Sequence, residues 1–265
     1  MIGQAVDDHL VLSEKTEGIV RISINREAKR NALSLATIDQ LLASLTAAER
    51  DSSTRVVILT GVGEKAFAAG ADLDELPKVF STAAKAREYD ERVTRLYRAM
   101  ESSRLPIIAR MAGSAIGGGC LLALACDQRI AASHVKVGFP VARIGLMLSP
   151  HEYELLLDQL SLSQAKQLLF SGRRLSGEEA VAFGLLDQVV SPADLDAVVD
   201  ELARTIAHGA PLAIAASKRI TNAIQRGRGL QDAIAEGYRS IYPSRDLTEG
   251  LAAVKDKRLP TFVGK

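Results

Sequence analysis

Two segments rich in glycine and alanine constrain what this chain can fold into more than any other feature. They span residues 65–73 and 111–120, and each lies where a strand-like run ends. Small residues at such turns let a ligand approach the backbone, and amides at a helix start are unpaired donors. If the two turns converge, two N–H groups can bind one carbonyl oxygen and stabilise an enolate or a tetrahedral oxyanion. Taken alone, either segment is equally well explained by tight packing of a helix on a sheet.

The apolar patterns along the chain predict strands that alternate with helices. A hairpin is predicted over 10–25 with its turn at Glu17 and Gly18, and Ser34 is suited to cap the following helix. Further strands are predicted at 56–60, 106–111, 129–132 and 135–139, and further helices at 82–103 and 120–125. Strands that alternate with helices indicate βαβ units, so we predict an α/β fold with a largely parallel core.

The second half of the chain is predicted to be helical from about residue 163 almost to its end. Ser176 and Glu179 match a capping box ahead of an apolar run, and Pro192 and Pro211 interrupt the helices that follow. The last helical segment is predicted over about 230–258. No stretch has the composition of a linker between two independent domains.

Charge and apolar composition exclude several classes of partner. The 33 Lys and Arg balance 32 Asp and Glu, so the formal charge of +1 favours neither nucleic acid nor an anionic membrane. Residues 1–8 are acidic where a signal peptide is basic, and the apolar stretch 115–126 is too short to span a bilayer. Cys120 and Cys126 lie in that stretch and are predicted to be buried, reduced thiols. We therefore expect a cytoplasmic protein.

Several further motifs occur in a fixed order along nearly the whole chain. They are Asn25-Arg26, Arg30-Asn31-Ala32-Leu33, Phe67-Ala68-Ala69-Gly70-Ala71-Asp72-Leu73, Gly117-Gly118-Gly119-Cys120, Ser171-Gly172 and Ala182-Phe183-Gly184-Leu185. With these motifs the chain resembles the crotonase superfamily, also called the enoyl-CoA hydratase/isomerase family. The resemblance implies a crotonase-like β-β-α spiral core over 1–200 and a C-terminal helical trimerisation region over 201–265. It also implies an acyl-CoA substrate from fatty acid metabolism, with coenzyme A as part of the substrate, no separate cofactor and no metal. The subunits would form a homotrimer or a dimer of trimers.

The resemblance also assigns roles to individual residues. The backbone N–H groups of Ala71 and Gly118 would form the oxyanion hole. The residues that would line the substrate and CoA site are Lys29, Arg30, Ala69, Asp72, Leu73, Leu121, Val141, Arg143, Phe262 and Lys265. Of these, Phe262 and Lys265 would complete the pocket from the C-terminus, in the same chain or from a neighbouring subunit.

The chain departs from the family pattern at the two acids. Family hydratases place one glutamate after the Gly-Gly-Gly-Cys turn and another after a Gly-x-Pro motif, and these positions are Leu121 and Val141 here. Neither side chain can carry a proton or align a water molecule, so we expect slow hydration or none. His151 is a candidate acid or base, and the alternative is an ordinary surface or helix-start histidine, since Pro150 is suited to begin a helix there. Arg143 could bind a substrate carboxylate or be an exposed loop residue.

Three hypotheses about function remain open. The first is an enzyme of the lyase or isomerase class whose acid–base group has moved, to His151, Arg143 or a residue within 74–90 such as Asp74 or Glu75. Its reaction could be decarboxylation, thioester hydrolysis, isomerisation or an unusual hydration. The second is a non-catalytic acyl-CoA-binding protein, and the third is a scaffold, which the intact glycine turns disfavour. Peptidase chemistry is disfavoured because no Gly-x-Ser-x-Gly surrounds Ser114.

Overall fold

The computed structural model describes residues 9–265 of the chain. The acidic residues 1–8, which argued against a signal peptide, lie outside the described part. Within it, no helix combines the length and apolar character that crossing a bilayer requires.

The strands of the described part form two sheets. They are β1 (Val11–Thr16), β2 (Ile19–Ile24), β3 (Val56–Gly61), β4 (Ala66–Ala68), β5 (Ile107–Met111), β6 (Ser114–Ile116), β7 (Gln128–Ala132), β8 (Lys136–Gly138), β9 (Arg174–Ser176) and β10 (Gln188–Val190). The larger sheet has the order β1-β2-β3-β5-β7-β10, and the smaller has the order β4-β6-β8-β9. Only β1–β2 and β8–β9 pair antiparallel. The largely parallel core is therefore confirmed.

Successive strand pairs cross from the larger sheet to the smaller one. In each of the pairs β3–β4, β5–β6 and β7–β8, the first strand belongs to the larger sheet and the second to the smaller one. This alternation produces the β-β-α spiral that the resemblance implies. The crossing from β5 to β6 passes through Gly113, where an added Cβ would lie 2.2 Å from Ala66 N. That closeness requires glycine, since any larger residue would push the two sheets apart.

The helices of the described part follow the strands and close the ends of the fold. They are α1 (Leu35–Arg50), α2 (Leu76–Val79), α3 (Ala83–Ser102), α4 (Gly118–Leu124), α5 (Pro150–Leu157), α6 (Leu162–Ser171), α7 (Gly177–Phe183), α8 (Leu195–Ala207), α9 (Pro211–Arg226), α10 (Leu230–Ile241) and α11 (Arg245–Asp256). Short 3-10 segments occupy Glu27–Lys29 and Pro140–Ile144. The predicted cap at Ser34 is present, as Ser34 Oγ accepts from Thr37 N at 3.1 Å, and so is the capping box at Ser176.

The core explains which predictions succeeded. β3 is buried along its whole length because it lies between β2 and β5 in the sheet and packs against α8, while α1 packs on the neighbouring β1 and β2. The last predicted helical segment, 230–258, is helical, and Pro243 with the N-cap Ser244 divides it into α10 and α11. The predicted division at residue 200 stays a prediction, and α8, which spans it, packs on β2, β3, β5 and β7.

Candidate active site

The first glycine turn follows β4 and is fixed by a single parallel bridge to the chain near α1. Leu33 N donates to Gly70 O at 2.8 Å, and Asp72 N donates to Leu33 O at 3.1 Å. Because the residues on either side of Ala71 make these bonds, the Ala71 amide faces the other way. Within residues 9–265 it donates to no acceptor. Gly70 has φ +99°, and an added Cβ would lie 2.7 Å from Ile116 O, so glycine is required there.

The second turn joins β6 to α4. Gly117 N donates to Gly138 O at 2.8 Å, and Gly117 O accepts from Cys120 N and Leu121 N at 3.0 and 3.1 Å. Gly117 has φ +54°, the conformation that directs the chain into α4. The Gly118 amide comes too early in the helix to have a helical acceptor, and it donates to nothing in the described part of the chain.

The two turns meet because β4 and β6 lie side by side, with Ala68 opposite Ala115. A Cβ added to Gly118 would lie 3.6 Å from Ala71 N, and one added to Gly70 would lie 3.4 Å from Gly118 N. Two amides without acceptors in the described chain are therefore close neighbours. Such a pair can bind one acyl oxygen, as an oxyanion hole requires.

An ion pair next to Ala71 stabilises the first turn. Arg26 Nη2 lies 2.7 Å from Asp72 Oδ2, and both side chains are largely buried. Burial works against the charged form of Asp72, but the hydrogen bonds from Arg26 and the Asp74 amide outweigh it and lower the pKa of Asp72. The carboxylate is thus engaged within the chain, and its predicted contact with CoA stays a prediction.

Asn31 fixes the loop that carries this ion pair, a role the sequence motif did not disclose. It is buried with φ +55°, and its Nδ2 donates to Val62 O at 3.0 Å and Ala66 O at 2.7 Å. Its Oδ1 accepts from Arg26 N at 3.1 Å. One side chain therefore connects the loop before α1 to the start of β4.

Four of the residues predicted to line the CoA site lie beside the first turn: Lys29, Arg30, Ala69 and Leu73. Ala69 N donates to Arg30 O at 3.0 Å, and Leu73 is exposed. Lys29 Nζ lies 2.6 Å from Asp74 Oδ2, and the hydrogen bond and charge of Asp74 raise the pKa of Lys29. Two of these side chains, Lys29 and Arg30, place positive charge where a phosphate could bind.

The C-terminal residues lie elsewhere in this chain. Phe262 O accepts from Arg55 Nη2 at 3.2 Å, and Lys265 O accepts from Arg245 N at 2.6 Å. Arg55 precedes β3, whereas the first turn lies beyond the other end of that strand. The structure therefore does not bring Phe262 and Lys265 to the turns of their own chain, and a contribution to a neighbouring subunit stays a prediction.

The two positions without acids flank the second turn. Leu121 is fully buried in α4. Val141 follows β8, whose Gly138 pairs with Ile116, so it also lies near this turn. Arg143, two residues further on, is exposed and donates to Ser171 O at 3.4 Å. This placement fits the exposed-loop alternative, and carboxylate binding by Arg143 stays a prediction.

The other polar candidates have partners within the chain. His151 is buried at the start of α5, with Nδ1 3.1 Å from Glu154 Oε2 and Nε2 3.1 Å from Glu101 Oε2. The second contact is close enough for an ion pair but lacks hydrogen-bond geometry. Arg226 of α9 joins the same cluster through Glu101 and Glu154. His151 thus links helices, and its catalytic role stays a prediction. Glu75 Oε2 accepts from Leu35 N at 2.9 Å.

The sequence analysis did not single out Glu152, whose carboxyl group lies in the first turn of α5. Glu152 Oε2 accepts from Ser149 N at 2.8 Å, which completes a capping box. The pattern Ser149-Pro-His-Glu152 carried that signal, but only the fold shows that the carboxyl faces α3. Burial raises the pKa of Glu152, and the charge of Asp90 raises it further, against the hydrogen bonds of Ser149. Tyr97 connects this region to the second turn, since its hydroxyl donates to Gly118 O at 3.4 Å.

An open groove of about 960 Å³ lies away from the turns. Its walls include Pro106 and Gln128, at the N-terminal ends of β5 and β7, whereas ligands of such sheets bind beyond the carboxyl ends. Lys218 within it is already held by Asp127 at 2.8 Å and by two backbone carbonyls. The groove therefore does not compete with the turns as the candidate active site.

Neither metal chemistry nor thiol chemistry is indicated in the described part of the chain. No group of three or more His, Cys, Asp or Glu residues within 9–265 could hold a metal ion. Cys120 and Cys126 are buried and unpaired, as predicted, and burial raises the pKa of Cys120 to about 12. A thiol with that pKa is a poor nucleophile at neutral pH. The expectation that no separate cofactor is needed stays a prediction.

Comparison with known proteins gives a consistent result. Residues 14–265 match the family described as enoyl-CoA hydratase/isomerase. The short-chain-enoyl-CoA hydratase of Clostridium acetobutylicum is 32% identical over 94% of this chain and 95% of its own. The mitochondrial enoyl-CoA hydratase domain-containing protein 2 of Bos taurus is 36% identical over 96% of this chain and 87% of its own. The crystal structure of an enoyl-CoA hydratase from Bacillus anthracis matches with a TM-score of 0.89 and 35% identity, over 97% of this chain and 100% of its own.

Proposed function

The chain belongs to the enoyl-CoA hydratase/isomerase family, and on that premise we propose that it processes acyl-CoA thioesters by stabilising an enolate or oxyanion. The stabilising groups are the amides of Ala71 and Gly118. The observation that carries this proposal is their proximity, with a Gly118 Cβ position only 3.6 Å from Ala71 N and no acceptor for either amide in residues 9–265. Two of the relatives named above are called enoyl-CoA hydratases, which supports catalysis over binding alone.

The proposed chemistry depends on where negative charge develops. When a thioester becomes an enolate or a tetrahedral intermediate, its carbonyl oxygen gains charge, and two fixed N–H donors stabilise that charge more than the neutral carbonyl. Each donor typically contributes about 3 kcal/mol of transition-state stabilisation. Because main-chain amides supply this effect, it survives the change of nearby side chains to Leu121 and Val141.

Standard hydration is the least favoured reaction for this chain. Hydration needs one group to align and deprotonate water and another to deliver a proton, and Leu121 and Val141 can do neither. Isomerisation and decarboxylation place fewer demands on side chains, because both proceed through an enolate that the amides hold. We therefore favour the isomerase and lyase reactions that avoid adding water.

A panel of CoA thioesters, scored by mass spectrometry for binding and for products, tests this proposal. We expect several thioesters to bind and at least one to be converted, while crotonyl-CoA is hydrated more slowly than about 1 per second, the lower end of ordinary enzymatic turnover. Failure of every thioester to bind would contradict the function. Fast hydration of crotonyl-CoA would contradict the argument from the missing acids.

Self-association is the second part of the proposal. Apolar and aromatic side chains are exposed on the C-terminal helices and on the segment that follows them: Tyr238, Tyr242, Leu251, Val254 and Leu259. Exposed apolar patches of this kind mark protein interfaces, which supports a homotrimer or a dimer of trimers. Light scattering after size-exclusion chromatography distinguishes these states from a monomer. A cytoplasmic location stays a prediction, since one named relative is mitochondrial.

A further inference from the structure

Enolate chemistry at the two amides requires a group that removes and returns a proton. The two positions where family hydratases carry acids are apolar here, so that group has to come from another element. Among the carboxyl groups near the turns, Asp72 is held by Arg26, Asp74 by Lys29 and Glu75 by the Leu35 amide. Asp72 has no free oxygen and Asp74 is exposed, so of these three only Glu75 combines a free oxygen with a partly buried environment, and α5 supplies another carboxyl group that does.

Glu152 has both properties. It lies in the first turn of α5, which packs against α4, the helix that begins at Gly118. Its Oε2 accepts a hydrogen bond from Ser149 N at 2.8 Å. Its Oε1 has no hydrogen-bond partner within residues 9–265 and is accessible to solvent. A carboxyl group with one oxygen anchored and the other free is held in a defined orientation while it exchanges a proton.

Two tyrosines of α3 lie near the start of α5, and one of them also contacts the second turn. Tyr97 is buried, stacks on the His151 ring with centroids 6.4 Å apart, and donates to Gly118 O at 3.4 Å. Burial raises the pKa of the Tyr89 hydroxyl, and the nearby charges of Glu152, Glu75, Asp90 and Asp72 raise it further. The start of α5, which carries Glu152, and the second turn therefore both contact Tyr97 of α3.

We propose that Glu152 is the catalytic residue that transfers a proton between two carbons of an enoyl thioester, so that the reaction is a double-bond isomerisation. This inference rests on the proposed oxyanion hole. With a 3-enoyl thioester, the C2–H bond breaks, the proton goes to Glu152 Oε1, and the electron pair forms a dienolate whose oxygen is bound by Ala71 N and Gly118 N. The C3=C4 electrons then take the proton at C4, C2=C3 forms, the carbonyl is restored, and the carboxylate is regenerated. No water or co-reactant is consumed.

The surroundings of Glu152 suit this role. Burial is the largest effect that raises its pKa, and Asp90 on α3 adds a like charge, which brings the carboxyl closer to the pH at which it can both accept and donate. The other titratable groups around this space are Tyr89 and Tyr97 of α3, His151 of α5 and Cys120 of α4. His151 is less suited than Glu152, because both of its ring nitrogens face carboxylates.

The test uses but-3-enoyl-CoA in heavy water and compares Glu152→Gln with Glu154→Gln. Glutamine at 152 keeps an acceptor for Ser149 N, so the capping box and the fold are expected to persist. Glu154 lies on the same helix and pairs with His151 and Arg226, so its variant controls for a loss of charge on α5. We expect Glu152→Gln to lose about 10²–10⁴-fold in isomerisation and in deuterium incorporation at C4, the usual range for general acid–base catalysis. Glu154→Gln is expected to stay within a few-fold of wild type.

A rate for Glu152→Gln within a few-fold of wild type, or a wild-type protein that binds but-3-enoyl-CoA without converting it, overturns the inference. A wild-type protein that binds no thioester overturns the proposed function instead, so the two failures are distinguishable. The pH profile gives an independent readout. The wild-type rate should rise with pH as Glu152 loses its proton, and Asp90→Asn should move this rise to lower pH by removing a like charge. If the rate of Asp90→Asn rises with pH over the same range as the wild-type rate, the assignment of Glu152 is contradicted.

Discussion

The two glycine turns and the face between α3 and α5 supply chemistry in different ways. At the turns the reacting groups are main-chain amides, held where β4 and β6 pair and where Gly70 leaves no room for a side chain. At the second region the groups are side chains of two helices, Glu152 of α5 and Tyr97 of α3, positioned by a capping box and one long hydrogen bond. Backbone chemistry depends on the fold, so it persists when side chains change. Side-chain chemistry can move to a new position.

The second turn contains the same contrast between adjacent residues. A Cβ on Gly119 would lie 2.0 Å from Ala68 O, a backbone atom that cannot move aside. A Cβ on Gly118 would make only ordinary contacts, the nearest to Ala71 N. Gly119 is therefore needed for packing, whereas Gly118 is needed for the space in front of an amide.

The largest expected effect is that of Gly119→Ala. The methyl group would force β4 and α4 apart, and we expect the variant to misfold or to lose more than about 3 kcal/mol of unfolding free energy, as severe overpacking does. Urea denaturation followed by circular dichroism measures this loss. A variant as stable as wild type would show that the two turns do not pack as closely as described.

Gly118→Ala should separate activity from stability. The methyl group fits but lies against the Ala71 amide, so we expect kcat/KM to fall by about 10²–10³-fold, as for loss of one oxyanion donor. The unfolding free energy should change by less than about 1 kcal/mol, since glycine is the weaker helix former. Gly237→Ala in α10 is the matched control, because its Cβ would also make only ordinary contacts. Equal kinetics for the two variants would contradict the role of the Gly118 region.

Asp72→Asn should have a smaller effect that depends on pH. Arg26 would lose its charged partner, and we expect a loss of about 1–3 kcal/mol of unfolding free energy at neutral pH. The folded-state pKa of Asp72 is lowered, so its contribution is present above the unfolded pKa of about 3.9 and is lost as the pH falls through the folded value. The stability gap between wild type and variant should therefore narrow below about pH 4. A gap that is constant down to pH 2 would contradict the ion-pair account.

The sequence predicted the glycine turns, but it did not predict the environment of Glu152. Gly70, Gly117 and Gly119 are local signals, because each marks a backbone conformation or a close approach that only glycine allows. Three strands of the smaller sheet, β4, β6 and β9, escaped prediction because each has only three residues, too few to show an alternating pattern. Glu152 escaped because its environment comes from Asp90 and Tyr97, which are distant in sequence and adjacent only after α3 and α5 pack.

The most direct test of the central claim is the infrared carbonyl stretch of a bound acyl-CoA labelled with ¹³C at the thioester carbon. Two amide donors on one oxygen weaken the C=O bond, so we predict a shift to lower frequency on binding to wild type. The shift should be smaller in Gly118→Ala, where a methyl group stands against the Ala71 amide. A bound thioester whose carbonyl frequency equals that in water or higher would contradict the convergence of Ala71 and Gly118 on the acyl oxygen.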